Sequence, residues 1–185
     1  MISAPQLLIA FRAACAPAIF VLACFRFDGL LLAGVLFAAL VSDIFDGVLA
    51  RRAGTATPAL RRADTIVDTI FYLAAGIALY VKIPDVYDNL WWSLLALCVI
   101  HLSRTTLELT KYGRIAAYHM WSSKVLGLLL AGALGVAFVT EQPPMLLAWA
   151  VWLAIANELE GFAASAILPA WRNDVPSLWH ALLRR

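Results

Sequence analysis

The sequence predicts an all-α integral membrane protein, a bundle of six transmembrane helices with both termini in the cytoplasm. Of the 185 residues, 63% are hydrophobic and 14% are charged, whereas a soluble domain carries about 25% charged residues. Six apolar stretches reach the length of about 20 residues that a helix needs to cross a bilayer. The basic residues concentrate in the connections on one side of these stretches.

The first three expected helices are residues 5–25, 29–50 and 59–81. No basic segment precedes the first apolar stretch and no small-residue cleavage site follows it, so we expect a retained helix rather than a removed signal peptide. The connection "RFD" leads directly into the second helix. Pro58 opens the third helix, because proline is tolerated in the first turn.

The last three expected helices are residues 90–109, 119–139 and 144–168, and Pro169 ends the sixth. The connections between them are short, and no repeat or low-complexity linker interrupts the chain. Within lipid each span must satisfy its own backbone hydrogen bonds. We therefore expect one transmembrane domain that covers residues 1–185.

Basic residues set the expected orientation of the bundle. One side carries nine of them: Arg51, Arg52, Arg61, Arg62, Lys111, Arg114, Arg172, Arg184 and Arg185. The other side carries only Arg26 and Lys82. By the positive-inside rule the richer side and both termini face the cytoplasm, in a multi-pass protein of the inner, cytoplasmic membrane. Residues 171–185 are either an amphipathic helix at the membrane interface or a frayed tail.

Four aspartates stand out in the second and third helices. Asp43 and Asp46 are three residues apart and Asp64 and Asp68 are four apart, so each pair shares a helix face. The two helices are antiparallel, and at 1.5 Å per residue Asp43 and Asp68 lie roughly 10–14 Å from the cytoplasmic ends. We therefore expect all four carboxylates to converge in one pocket that faces the cytoplasm.

Metal binding is the chemistry that four neighbouring carboxylates indicate, because they cannot all ionise without a counter-charge. Oxygen ligands suit Mg²⁺ or Mn²⁺, and two such ions would neutralise the four side chains. The alternative is a structural ion network with Arg51, Arg52, Arg61 and Arg62. The number and spacing of the aspartates favour a functional site, as is usual for carboxylates inside a membrane.

The order of residues around the aspartates resembles the signature of the CDP-alcohol phosphotransferase (CDP-alcohol phosphatidyltransferase) family. That signature is Asp-x2-Asp-Gly-x2-Ala-Arg-x8-Gly-x3-Asp-x3-Asp. The sequence matches it at seven of the eight fixed positions: Asp43, Asp46, Gly47, Ala50, Arg51, Asp64 and Asp68. Leu60 stands where the family has its second glycine. The six-helix plan and the chain length are also similar to this family.

The resemblance implies an enzyme of membrane phospholipid synthesis. It would transfer a phosphatidyl group from CDP-diacylglycerol to an alcohol and release CMP. The four aspartates would hold two divalent ions, and Asp68 would also be the base that deprotonates the acceptor. Gly47, Ala50, Arg51 and the position of Leu60 would line the site of the CDP donor. The family also implies a homodimer. Metal neutralisation and a nearby carboxylate base are independently what phosphoryl-type transfer needs.

Cations inside the expected spans indicate the acceptor. Arg104 and Lys124, with Arg114 near the mouth of the site and Arg12 as a weaker candidate, could bind a phosphate group. We therefore expect a phosphorylated polyol such as glycerol 3-phosphate or an inositol phosphate.

Two alternatives remain open at this stage. Glu158 and Glu160 could hold the amine of an acceptor such as serine, or they could balance the cations together with Glu108. A protein of another class, a transporter with a carboxylate cation site, would not need the glycine, alanine and arginine between the aspartates. The net charge of +2 says nothing about nucleic acid, and we expect no nucleic-acid partner.

Overall fold

The computed structural model describes residues 4–52, 58–118 and 120–183. The side chains of residues 46–48, 50–52, 58–59 and 61–62 lie outside this description. Within it the chain is helical and contains no strand: α1 Ala4–Cys24, α2 Gly29–Arg52, α3 Pro58–Lys82, a 3-10 turn Pro84–Tyr87, α4 Trp91–Tyr112, α5 Trp121–Thr140, α6 Met145–Ile167 and α7 Leu178–Leu182.

The six long helices agree with the six expected stretches, and their ends differ from the expected ones by at most three residues. The largest difference is at the end of α4, which continues to Tyr112. There Gly113 adopts a left-handed φ of 67° and its N–H donates to the carbonyl of Leu109 at 2.9 Å. Glycine tolerates this conformation, which closes the helix.

Four segments of the described chain are long and apolar enough to cross a membrane: Ala4–Cys24, Ala63–Lys82, Trp121–Thr140 and Met145–Ile167. The apolar part of α2, Gly29–Phe45, is shorter. Helix α4 carries His101, Arg104, Glu108 and Lys111, whose spacing places them on one face. The fold is thus that of a helical membrane protein, while the count of six spans and the orientation of the termini stay predictions.

The chain divides into two compact units, and the first consists of Met1–Val86 and Leu134–Pro143. In this unit α1 packs against both α2 and α3. Ile19, Leu32 and Phe71 are among its buried apolar side chains. A Cβ at Gly29 would collide with the backbone carbonyl of Phe138, so this close approach requires glycine.

The second unit consists of Tyr87–Ala133 and Pro144–Arg185. Here α4 packs against α6, and α6 contacts α7. Tyr118 and Met120 from the α4–α5 connection form one buried cluster with Leu168 and Val175. Within the described residues the C-terminal segment is therefore folded onto this unit rather than frayed. Its position at a membrane interface stays a prediction.

Large apolar side chains also cover the outside of the helices. Phe37, Leu73, Leu102 and Trp149 are all well exposed. A soluble protein rarely exposes extended apolar surface. In a bilayer these side chains contact hydrocarbon, which agrees with the mean hydropathy of +0.84.

Candidate active site

Three of the four expected aspartates come together in the first unit. Asp43 lies on α2, and Asp64 and Asp68 lie one turn apart on α3. One carboxylate oxygen from each lies within 4.8 Å of the others. The convergence follows from the sequence spacing, because residues four apart share a helix face and both helices pack on α1.

A guanidinium from α1 lies among these carboxylates. Nη1 of Arg12 donates to Oδ1 of Asp43 at 2.6 Å, and Nη2 donates to Oδ1 of Asp64 at 2.9 Å. Nη1 also donates to Oδ1 of Asp68. The Arg12 side chain is only 1% exposed, so the cation is buried where the aspartates meet. It is an internal counter-charge that holds α1, α2 and α3 together.

The aspartates themselves remain accessible. Their side chains are 41%, 29% and 31% exposed at Asp43, Asp64 and Asp68. One guanidinium does not balance three ionised carboxylates, so the cluster can accept further positive charge. Oxygen donors that are grouped closely and partly exposed fit a hard divalent ion such as Mg²⁺ or Mn²⁺.

The other residues of the expected donor site are only partly described. The side chains of Asp46, Gly47, Ala50 and Arg51 lie outside the described residues, so their roles stay predictions. Leu60 lies in the first turn of α3 and is half-buried. The alternative counter-ions of the aspartates, Arg51, Arg52, Arg61 and Arg62, likewise have no described side chain.

The sequence did not predict that Arg12 contacts the aspartates. From the sequence it was a weaker candidate for binding the acceptor phosphate. The available signal was an arginine within an apolar helix, a position where a charged side chain needs an internal partner. Which partner it finds depends on the rotation of α1 against α2 and α3. A linear spacing does not contain that information.

In the second unit, Arg104 lies in a different ion network. Its Nε donates to Oε1 of Glu108 at 2.9 Å, and its Nη1 donates to Oε2 of Glu158 at 3.2 Å. The guanidinium also stacks 5.4 Å from the centre of the Tyr118 ring. These contacts match the alternative in which glutamates balance the cations, and an acceptor phosphate at Arg104 would have to compete with two carboxylates.

Glu108 is fully buried and anchors this network. Its Oε2 accepts the N–H of Ala116 at 2.8 Å, and its Oε1 accepts the hydroxyl of Ser165 at 2.7 Å. The Tyr118 hydroxyl lies 2.9 Å from that of Ser165, and burial raises the pKa of Tyr118. A buried carboxylate is tolerated only with such partners. The network therefore ties the α4–α5 connection to α4 and α6.

Gly161 makes room for the arginine of this network. A Cβ built on Gly161 would lie 2.6 Å from Cζ of Arg104. Any larger residue would have to displace the guanidinium from its position beside α6.

Glu160 joins three elements through both of its oxygens. Oε2 accepts the hydroxyl of Ser122 at 2.6 Å, and Oε1 accepts the backbone N–H of Leu178 at 3.0 Å. Asn157 donates to the hydroxyls of Ser122 and Ser123 at 2.7 Å and 2.9 Å. The carboxylate is thus already engaged in holding α7 and the start of α5, which does not favour a role in binding an amine.

Lys124 and Arg114 contact aromatic rings instead of carboxylates. The Lys124 ammonium lies 4.4 Å from the centre of the Trp121 ring, and the Arg114 guanidinium lies 4.7 Å from that of Trp171. Neither cation forms an ion pair with a carboxylate that the structure describes. Of the expected acceptor cations, these two therefore keep their charge available.

The fold and the site define a helical membrane protein with a cluster of partly exposed aspartates that could hold a metal ion. The sequence model of the CDP-alcohol phosphatidyltransferase family matches residues 2–159, and the chain belongs to this family. The match runs from α1 through most of α6 and includes every aspartate of the cluster. Searches of curated proteins and of solved structures found no match.

Membership in the family gives the class of reaction. The chain is a CDP-alcohol phosphotransferase, a membrane enzyme of phospholipid synthesis that transfers a phosphatidyl group to an acceptor. This confirms the resemblance that the signature between Asp43 and Asp68 indicated.

Proposed function

We propose that the chain transfers the phosphatidyl group of CDP-diacylglycerol to an alcohol and releases CMP, with the aspartate cluster as its catalytic centre. The convergence of Asp43, Asp64 and Asp68 within the family signature carries this proposal. The cluster offers carboxylate oxygens, which are suitable ligands for a divalent ion, and it is exposed enough for the pyrophosphate of CDP-diacylglycerol to reach that ion.

The reaction requires a proton acceptor beside the phosphorus. Asp68 takes the proton of the acceptor hydroxyl, whose oxygen forms the new bond to the phosphorus that carries the diacylglycerol. The bond from that phosphorus to the CMP oxygen breaks, and CMP leaves with the electron pair. Two divalent ions held by Asp43, Asp46, Asp64 and Asp68 would offset the negative charge of the pyrophosphate. Both Mg²⁺ and Mn²⁺ suit these ligands.

The nucleotide of the donor is assigned to the start of the signature. By the family signature, the small residues Gly47 and Ala50 would leave space for the nucleotide, and Arg51 would offer a planar set of donors to phosphate. Leu60 replaces a glycine of the signature and would narrow that space. This assignment rests on the family signature.

We assign a phosphorylated polyol as the acceptor, such as glycerol 3-phosphate or an inositol phosphate. Lys124 supports this assignment best, because its ammonium contacts only an aromatic ring among the described groups. Arg114 is similarly available, whereas Arg104 contacts Glu108 and Glu158. The amino-alcohol alternative is weaker, because both oxygens of Glu160 already accept hydrogen bonds. Family membership likewise removes the support for a transporter.

The cellular setting is also part of the proposal. From the excess of basic residues in the loops on one side, we infer that the aspartates face the cytoplasm and that the membrane is the inner one. We also propose that the protein is a homodimer, and this part of the proposal is based on the family resemblance alone.

The direct test is incubation of the detergent-purified chain with CDP-diacylglycerol, Mg²⁺ and a panel of phosphorylated and unphosphorylated alcohols. We expect CMP release only when donor, alcohol and metal are all present, and a lipid whose mass equals phosphatidyl plus the alcohol. Omission of the alcohol controls for simple hydrolysis of the donor. CMP release that never yields such a lipid, or no turnover with any alcohol, would refute the proposed reaction.

A further inference from the structure

The buried guanidinium occupies the point where the carboxylate ligands meet. Asp43, Asp64 and Asp68 each direct an Oδ1 atom at Arg12, and those same three side chains present their ligand oxygens within 4.8 Å of one another. The three helices of the unit therefore already converge on a cation, and this cation belongs to the chain.

A divalent ion and the guanidinium cannot both use this point. An ion that takes a ligand oxygen from each aspartate must lie between them, where the nitrogens of Arg12 now lie. Two cations a few ångströms apart repel each other. Binding of the ion therefore requires the guanidinium to withdraw from at least part of the cluster.

We propose that Arg12 is an internal competitor of the metal. Its guanidinium offsets part of the negative charge of the aspartates and gives them up when a divalent ion binds. The cost of displacing it lowers the affinity for the ion, since only molecules whose guanidinium has withdrawn can accept the metal. This inference rests on the proposed function in one respect, namely that the aspartates hold a divalent ion.

The displacement also bears on Asp68. As long as Arg12 donates to Oδ1 of Asp68, that oxygen is less available to accept the proton of the acceptor hydroxyl. Withdrawal of the guanidinium would free this oxygen of Asp68 to accept the proton. Arg12 is 1% exposed where it contacts the aspartates, so a guanidinium that leaves them needs a new anionic partner, which the pyrophosphate of the donor would supply. Arg12 is thus a positioning residue that couples metal loading to the availability of the base.

The test measures metal binding without turnover. The full chain is purified in detergent, stripped of metal with a chelator and titrated with Mn²⁺, and the free ion is counted by electron paramagnetic resonance. We expect Arg12→Gln to bind Mn²⁺ about tenfold more tightly than the wild type, because the competing charge is gone. The metal-free variant should melt at a lower temperature, since its carboxylates repel, and Mn²⁺ should raise its melting temperature more than it raises that of the wild type.

Two further variants make the result specific. Lys82→Gln is the matched control, because Lys82 is a buried cation on α3 that pairs with Glu141 at 2.7 Å, away from the aspartates. It should leave Mn²⁺ affinity unchanged. Arg12→Lys keeps the charge but loses the fork of donors, and should give an affinity between wild type and Arg12→Gln. It also provides the comparison if Arg12→Gln does not fold.

The outcomes separate this inference from the proposed function. If the wild type binds Mn²⁺ and the Arg12 variants bind it equally or more weakly, Arg12 supports the metal site and the competition model is wrong while the proposed function stands. If neither the wild type nor the Arg12 variants bind Mn²⁺, both fail.

Discussion

Oδ1 of Asp64 accepts a hydrogen bond from Nη2 of Arg12 at 2.9 Å, across a sequence separation of 52 residues. This contact joins the α1 and α3 helices inside the first unit through opposite charges rather than through apolar packing. Arg12 is 1% exposed whereas Asp64 is 29% exposed, so removing the carboxylate would leave a buried cation with one partner fewer. The aspartates of the signature therefore stabilise the metal-free fold as well as providing candidate ligands.

Replacing Asp64 by asparagine should abolish transfer and weaken Mn²⁺ binding. The amide keeps the shape of the side chain but removes the negative charge that offsets the ion. Asp43→Asn should behave in the same way, because its oxygen belongs to the same group. Turnover by CMP release and Mn²⁺ affinity are measured on the same preparation. Asp88→Asn, at an exposed carboxylate of the α3–α4 connection, is the control and should leave both unchanged. Full activity of Asp64→Asn would refute the proposal that the aspartates hold the metal ions needed for transfer.

The positions of the helices and of the aspartate cluster could be predicted because they depend on local features. Apolar stretches of membrane length placed the six helices, and Pro169 indicated the end of the sixth. The spacing of Asp64 and Asp68 alone put their side chains on one face.

Other features depend on contacts between distant segments and were not predictable. Arg12 meets the aspartates only because α1 is rotated to present it. The segment after Pro169 is ordered because Val175 and Leu168 pack with Tyr118 and Met120, a set of contacts that no local pattern reveals. The spacing of Arg104 and Glu108, four residues apart, indicated their ion pair as an alternative to phosphate binding. The hydrogen bond from Ser165 to Glu108 could not be predicted.

Asp68→Asn should reduce kcat by about 10²–10⁴ and change donor affinity much less. Its carboxylate is required when the acceptor proton leaves, whereas the other aspartates remain to bind metal. Single-turnover rates and a separate measurement of CDP-diacylglycerol binding distinguish the two quantities. If donor affinity falls in step with the rate, Asp68 is a metal ligand and not the base.

Gly161→Ala should destabilise the second unit by about 1–3 kcal/mol, because its methyl group would meet the guanidinium of Arg104. Displacement of that side chain also weakens its bonds to Glu108 and Glu158. The control is Gly127→Ala on α5, where a Cβ meets no atom within 4 Å and helix propensity favours alanine. Melting temperatures of the two variants in detergent test this contrast. Equal stability would show that the arginine can move at little cost.

Membrane orientation can be tested with single cysteines in a background without Cys15, Cys24 and Cys98. We expect a membrane-impermeant maleimide to label Asp85→Cys in intact cells and to label Arg172→Cys only after permeabilisation. The reason is the excess of basic residues on the side of Arg172. Both positions are exposed, so a difference in labelling reports the side of the membrane. The reverse pattern would place the aspartates on the outside and overturn the proposed topology.

The acceptor can be tested at Lys124, whose ammonium stacks on Trp121. Loss of an exposed cation–π contact costs about 0.5–1 kcal/mol, so Lys124→Met should remain folded. If the ammonium binds the acceptor phosphate, its removal should raise the acceptor KM about tenfold or more, because a charge-assisted hydrogen bond contributes about 1.5–3 kcal/mol. Binding of CDP-diacylglycerol should not change.

Arg104→Met is the contrasting variant for this test. It leaves Glu108 buried without its cation and should therefore reduce the yield of folded protein, whatever the acceptor is. If Lys124 binds the acceptor phosphate, Lys124→Met should raise the acceptor KM, whereas Arg104→Met should lower the yield of folded protein. If Lys124→Met has an unchanged KM, or if the wild type prefers serine to every phosphorylated alcohol, the phosphorylated acceptor is wrong. In that case Glu158 becomes the group to test next, because its carboxylate contacts both Arg104 and His101 and could exchange one of them for an amine.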